Sequence, residues 1–234
     1  MSLVIAPCSF DAAKYAVMNW HYSQAMPAGK LVKYGVWEND KFIGAVIYGR
    51  GANKDLGKPY GLEQIEICEL VRVALTKHEA TVSQIVAQSI KQLKKENPGI
   101  RLIISFADPE QNHKGGIYQA GNWIYNGCSQ SADEYIVNGE RIHGRSLRAK
   151  RKSHPIQTNA KNALIWAQQV LDPNAQEVKG SSKHRYLYPL DRNMRKLVSA
   201  LSLPYPSAVE GSIVSRDTSG IEGQVQSLPT AQRS

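Results

Sequence analysis

The sequence predicts an α/β protein, a mixed twisted sheet with helices on both faces, and three observations predict it. Residues 82–95 place Val82, Ile85, Val86, Ile90 and Leu93 on one stripe and Gln84, Gln88, Lys91 and Lys94 on the other, the period of a helix with one buried face. Apolar, β-rich runs at 65–75 and 102–107 flank that helix, so strand, helix and strand follow one another. An N-terminal helix and a hairpin come before this unit.

Ser9 is a suitable N-cap for a helix through about Trp20, with Phe10, Ala13, Val17 and Trp20 at helical spacing. Pro27-Ala28-Gly29 breaks the chain. Lys33 to Trp37 and Phe42 to Tyr48 alternate like strands around an Asn39-Asp40 turn. The strand at 65–75 mixes Ile67, Leu70, Val71 and Val73 with Glu66, Glu69 and Arg72. Glu69 and Arg72 are three apart, so on a regular strand they face opposite sides and share one pocket only across a bulge.

Pro98-Gly99 stops the long helix. Leu102 to Ala107 then ends at Asp108-Pro109, which presents a carboxylate at a strand's C-terminal edge, where open α/β sheets hold ligands. A short helix near Ile117 to Ala120 and a strand at Asn122 to Tyr125 follow. Glu134 to His143 reads as a hairpin around Asn138-Gly139. The segment 156–171 is expected to be helical. The organisation expected is a catalytic domain at 1–145, a basic extension at 146–205 and a disordered tail at 206–234, rich in Ser, Gly, Gln, Thr and Pro.

Lys and Arg number 29 against 20 Asp and Glu, a net charge of +9, which suits a polyanionic partner. The excess is clustered. Residues 141–154 hold six cations and no acid, among them Arg145, Arg148, Lys150, Arg151 and Lys152; a second cluster at 179–196 holds Lys183 and Arg185. Three scattered cysteines form no CxxC pair, which excludes a zinc ribbon and a disulfide framework. No apolar run is long enough to cross a membrane, and the N-terminus does not read as a signal peptide, so a reducing cytoplasm is expected.

Several pieces, spread over residues 1–150 in a fixed order, resemble the Mom proteins of Mu-like phages. They are His21-Tyr22-Ser23, Tyr48-Gly49-Arg50-Gly51-Ala52-Asn53, Cys68-Glu69-Leu70-Val71-Arg72-Val73-Ala74-Leu75, Phe106-Ala107-Asp108-Pro109 and Gly116-Ile117-Tyr118-Gln119-Ala120-Gly121-Asn122-Trp123. The segment 181–196 also resembles the end of such proteins. The resemblance implies an enzyme that converts adenine in phage DNA to its N6-carbamoylmethyl form and so shields the DNA from host restriction. It implies a fold like that of the GNAT acetyltransferases, which hold acyl-coenzyme A where two parallel strands part. The partners implied are double-stranded DNA and a small or carrier-bound donor, either acetyl-CoA or another acyl donor; an acetyl group alone does not supply the amide nitrogen. One departure stands out. GNAT enzymes carry a Gln/Arg-x-x-Gly-x-Gly/Ala loop before the long helix, whose backbone N–H groups cradle pyrophosphate. Here that place reads Thr76-Lys77-His78-Glu79-Ala80-Thr81-Val82-Ser83, without glycine.

On this resemblance Asp108 is expected to act as general base or as an anchor for the adenine amino group, Tyr118 as proton donor to the leaving group, and His21 as acid or base. Tyr22, Ser105, Glu69, Arg72, Trp123 and Asn112 are expected to contact substrate. Trp20, Tyr22 and Trp123 offer faces for a base taken out of the helix. The two basic clusters are expected to grip phosphates. His21, Asp108 and His113 have the composition of an open iron site, but no local spacing supports it, and no metal is assigned. Two other functions fit parts of the chain: a DNA-binding accessory without chemistry, and a conventional acetyl-CoA-dependent N-acetyltransferase.

Overall fold

The computed structural model describes residues 2–51, 53–111 and 113–206. Asn112 and the tail expected at 206–234, beyond its first residue, lie outside the described residues. The elements run β1 (Leu3–Pro7), α1 (Phe10–Trp20), β2 (Leu31–Glu38), β3 (Lys41–Gly49), β4 (Ile67–Leu75), α2 (Val82–Glu96), β5 (Leu102–Ala107), α3 (Gly116–Ala120) and β6 (Ile124–Cys128). There follow β7 (Asp133–Val137), β8 (Glu140–His143), α4 (Gly144–Ser153), α5 (Ala163–Val170), β9 (Gln176–Lys179), β10 (His184–Pro189) and α6 (Arg192–Ser199).

Seven strands form one sheet in the order β1-β2-β3-β4-β5-β10-β6, and three form a second, β8-β7-β9. The pairs in the large sheet are antiparallel except β4 with β5, which is parallel. The α2 stripe packs Ile85, Val86, Ile90 and Leu93 on one face of the sheet, against Tyr34, Val46, Tyr48, Leu70 and Ile103. On the other face α1 sets Ala13, Ala16 and Val17 against Ala45, Ile47 and Ala74, and α6 sets Met194 and Val198 against Leu102, Ile104 and Leu187. The predicted mixed sheet with helices on both faces is therefore what forms.

Local chemistry explains the boundaries. The Ser9 side chain accepts from the Ala12 N–H and starts α1. Thr81 and Gln84 form a reciprocal capping box at the start of α2. Phe10, expected on the buried stripe, is 51% exposed; as the first residue of α1 it lies beyond the sheet that the helix covers. Ile65 is exposed and precedes the first paired residue of β4, Ile67. Asn122 takes a left-handed φ of 56°, so the turn extends further than expected and β6 begins at Ile124.

The basic extension expected at 146–205 is not a separate body. Its strand β10 lies between β5 and β6, with Tyr186 packed on one face of the sheet and Leu187 on the other. Burial on both faces, rather than the cations beside them, decides the place of that strand. The helix expected at 156–171 is shorter, Ala163–Val170, and with α4 covers the small sheet around Trp166, Leu147 and Tyr135.

Inside the α2 face, the Tyr48 and Ser89 hydroxyls lie 2.7 Å apart, both fully buried, and Ser89 donates to the Val86 carbonyl at 2.8 Å. The Tyr48 hydroxyl therefore donates to Ser89. Ser89→Ala is expected to destabilise the fold by roughly 1–3 kcal/mol, because it strands a buried hydroxyl. Adding Tyr48→Phe removes the stranded group and should recover most of that loss in denaturant unfolding; no recovery would refute the pairing.

Candidate functional site

The site is built by the parting of β4 and β5. Their parallel ladder runs through Ile67 opposite Leu102, Cys68 opposite Ile103 and Glu69 opposite Ile104, and then stops. Beyond it β4 continues against β3, and β5 against β10. The fork is tied at its base by Ser105, buried on β5, whose hydroxyl lies 2.8 Å from the Leu70 carbonyl of β4 and 2.8 Å from the Tyr118 hydroxyl. A carbonyl only accepts. Ser105 therefore gives its one proton to Leu70, and in that arrangement the Tyr118 hydroxyl donates to Ser105.

A second irregularity lies beside the fork. The β3–β4 register shifts where Ile47 opposes Arg72 and Tyr48 opposes Leu70, leaving Val71 unmatched. This is the bulge that lets Glu69 and Arg72 share a pocket. Both line a cavity of about 470 Å³ together with Trp20, His21, Tyr22, Asp108, His113, Tyr118 and Lys183. A neighbouring cavity of about 480 Å³ shares Glu69 and Arg72 and adds Gly51 and Arg145. Gly51 is required there: its φ is +73°, and a Cβ would come within 2.8 Å of Leu56 and 3.1 Å of the Glu69 carboxylate.

The carboxylates differ in state. Burial pushes the Glu69 carboxyl above the ordinary range, against the pull of Arg72, Lys183 and Arg145. Burial also raises Asp108, but its partners outweigh that and hold it below the ordinary range. Lys183 Nζ donates at 3.0 Å, and the Glu110 N–H and the Ser181 hydroxyl each at 3.1 Å. Asp108 thus fastens the loop before β10 to the end of β5. Tyr118, buried, is pushed up to about 12 chiefly by desolvation and so keeps its proton at neutral pH.

His21 follows α1. Its Nδ1 accepts from the Ser23 N–H at 3.1 Å, which leaves the ring proton on Nε2. Burial, then the charges of Arg72 and His113, lower its pKa to about 4. Tyr22 is 56% exposed at the cavity, with ring centroids 4.3 Å from His21 and 5.5 Å from His113. Gly115, with φ +80°, starts α3 against Tyr186, where a Cβ would run into the ring. That close approach sets Tyr118 over the fork.

Two expected substrate contacts are placed otherwise. Trp123 is 1% exposed, packed between Tyr118 and Tyr188 at 5.0 and 5.2 Å, so its faces are covered. Ser105 is sealed inside the fork and positions Tyr118 rather than touching a ligand. Asn112 is outside the described residues. Among the cations, Arg145, Arg148, Lys150 and Lys152 are exposed on α4 and Arg151 is half-buried; Arg148 also reaches Asp133 at 3.4 Å. Lys183 turns toward Asp108. Arg185 donates to the Cys128 carbonyl at 3.0 Å and has a buried Nε without a partner among the described residues, so it faces the protein. His21, Asp108 and His113 line one cavity, yet among the described residues no three His, Cys, Asp or Glu side chains gather as metal ligands would. No helix of the described residues is long and apolar enough to cross a membrane.

Comparison with known proteins agrees with the resemblance. The sequence model of the Mom protein family matches residues 2–207. "Methylcarbamoylase mom" of Escherichia phage Mu is 22% identical over 205 residues, covering 83% of this chain and 79% of that protein. Among solved structures, an acetyltransferase of Bacillus subtilis in complex with CoA is 12% identical with a TM-score of 0.42, covering 81% of this chain and 98% of that one. An N-acetyltransferase from Staphylococcus aureus Mu50 is 13% identical with a TM-score of 0.42, covering 81% and 99%.

The lowered His21 pKa gives a signed expectation. The unfolded chain takes up this proton near pH 6.5 and the folded chain near pH 4. The contribution is therefore complete above pH 6.5 and is lost as the pH falls toward 4. His21→Gln should flatten the pH dependence of unfolding in that window. In wild type, imidazole NMR signals should report the neutral Nε2–H form at pH 6; a charged ring at that pH would overturn the assignment.

Proposed function

The chain belongs to the Mom protein family, and we propose that it is a transferase converting adenine in duplex DNA to N6-carbamoylmethyladenine. The observation that carries the reading is the cavity at the fork, where a partly buried carboxyl, a protonated tyrosine and an exposed aromatic ring meet beside cations. The name of the phage Mu relative, a methylcarbamoylase, supports it.

The adenine amino group is a poor nucleophile inside a base pair, and its nitrogen is out of reach in the stack. The base must swing out, at a cost of a few kcal/mol. Tyr22 supplies a face for it, and stacking returns about 1–3 kcal/mol. The exposed cations of α4, with Arg145 at the neighbouring cavity, hold the phosphates, which makes affinity salt-dependent. The donor is an activated carbamoylmethyl compound. A bond forms between N6 and its methylene carbon as the bond from that carbon to the leaving atom breaks.

Proton traffic assigns the roles. Glu69 takes one proton from N6, since a carboxyl raised toward neutrality is the better base. The Tyr118 hydroxyl turns its proton from Ser105 to the leaving atom and recovers one through solvent at the cavity, where Glu69 releases the one it took. Asp108, ionised and fully engaged, positions the Lys183 loop. His21 is neutral and offers Nε2–H as a donor. In an infected cell the modified adenine would protect phage DNA from host restriction, which places the work in the host cytoplasm.

Glu69→Gln and Tyr118→Phe are each expected to lower N6-carbamoylmethyladenine by at least about 100-fold, measured by nucleoside mass spectrometry of DNA from expressing cells. Asp108→Asn should lower it by less than about tenfold while lowering the melting temperature. Full modification by the Glu69 variant, or loss confined to the Asp108 variant, would refute these roles.

A further inference from the structure

The fold resemblance implies coenzyme A, whose pyrophosphate would rest on backbone N–H groups between β4 and α2. Three successive groups among them are already occupied. The Glu38 carboxylate, at the end of β2, accepts from the Glu79 N–H at 2.9 Å and from the Ala80 N–H at 2.8 Å. The next donor, the Thr81 N–H, goes to the Gln84 side chain at 3.1 Å. Glu38 is 7% exposed and Ala80 is 2% exposed, while Glu79 and Thr81 on either side of Ala80 are exposed. Within the loop His78 turns its ring to the Thr76 carbonyl at 2.6 Å.

From this arrangement we infer that the chain does not seat the pyrophosphate of coenzyme A in this loop, because Glu38 already serves there as a built-in anion, and that its donor is recognised without a pyrophosphate. Three successive donors are spent internally. An entering phosphate would have to displace a buried carboxylate and then lie beside its negative charge, where like charges repel. Residues 79–81 carry side chains where the usual loop has glycines, so the backbone is not open to close approach. The cations that could meet an anionic part of a donor lie instead at the fork: Arg72, Lys183 and Arg145. This leaves the reactive end of the donor, in the cavity of about 470 Å³, as the part the protein reads. The inference rests on the proposed transferase reading only in requiring that some donor enters.

The test uses the full wild-type chain with coenzyme A and with pantetheine, which lacks the pyrophosphate and nucleotide. Coenzyme A is expected to bind no more than about threefold tighter than pantetheine in isothermal titration. The Glu79 and Ala80 amide signals should stay in place in 15N–1H spectra through the titration. Tighter binding than that, with both amides shifting to saturation, would overturn the inference. In Glu38→Ala the freed amides should shift when inorganic pyrophosphate is added; silence in a folded variant would also count against it. Nucleoside mass spectrometry separates the two proposals. Modified adenine with tight pyrophosphate-dependent coenzyme binding refutes only the inference, and unmodified adenine with unmoved amides refutes only the proposed activity.

Discussion

Everything at the functional end depends on how two parallel strands stop pairing. When β4 and β5 diverge after Glu69 and Ile104, their facing backbone groups lose the ladder that satisfied them. Buried groups left so are costly, and each needs another partner. Ser105 answers the first of them by giving its proton to the Leu70 carbonyl. On the edge of β5 away from β4, β10 pairs along the whole strand and carries Tyr186 under α3. The fork is therefore a settled structure with an open mouth, and Tyr118 is held over it by the same serine that ties its base.

The bulge at Val71 is the second half of the same device. A regular strand would send Glu69 and Arg72 to opposite faces, one to the cavity and one into the packed side. One unmatched residue turns both toward the opening. The Arg72 charge then acts on everything nearby. It draws Glu69 toward ionisation while burial resists, and it discourages a proton on His21. Burial sets the direction for both candidate proton carriers, and the bulge brings the Arg72 charge to bear on each.

What was legible in the sequence follows from period and punctuation. The α2 stripe, the Ser9 cap, the Asn39-Asp40 turn and the Asn138-Gly139 turn are local, and each formed where the residues indicated. The position of β10 was not legible. Its cations dominate a compositional reading, while Tyr186 and Leu187, one on each face, decide its burial. β1 went unread because five residues at a chain start carry too little period to distinguish a strand. Of the site, the family pieces named His21, Tyr22, Glu69, Arg72, Asp108 and Tyr118, which line one cavity. Trp123 and Tyr22 are both aromatic residues on such pieces; one is sealed between two tyrosines and the other stands at the opening.

Three carboxylates make the general reason clear. Glu38, Asp108 and Glu69 have the same functional group and, for two of them, the same chemistry of partners. Glu38 is held low by the Ala80 and Glu79 N–H groups, and Asp108 by Lys183, Ser181 and the Glu110 N–H. Each is a permanent anion that closes a loop. Glu69 is more deeply desolvated, and its neighbouring cations act by charge through space, so its proton affinity rises instead. Permanent anions organise structure and exclude other anions; a carboxyl raised toward neutrality can exchange a proton. Residue type cannot rank these three, since the difference lies in which N–H groups and which cations reach each one. That is a property of register, bulge and fork, and it is why proton affinity rises at the strand's own glutamate and falls at the Asp-Pro carboxylate at its neighbour's end.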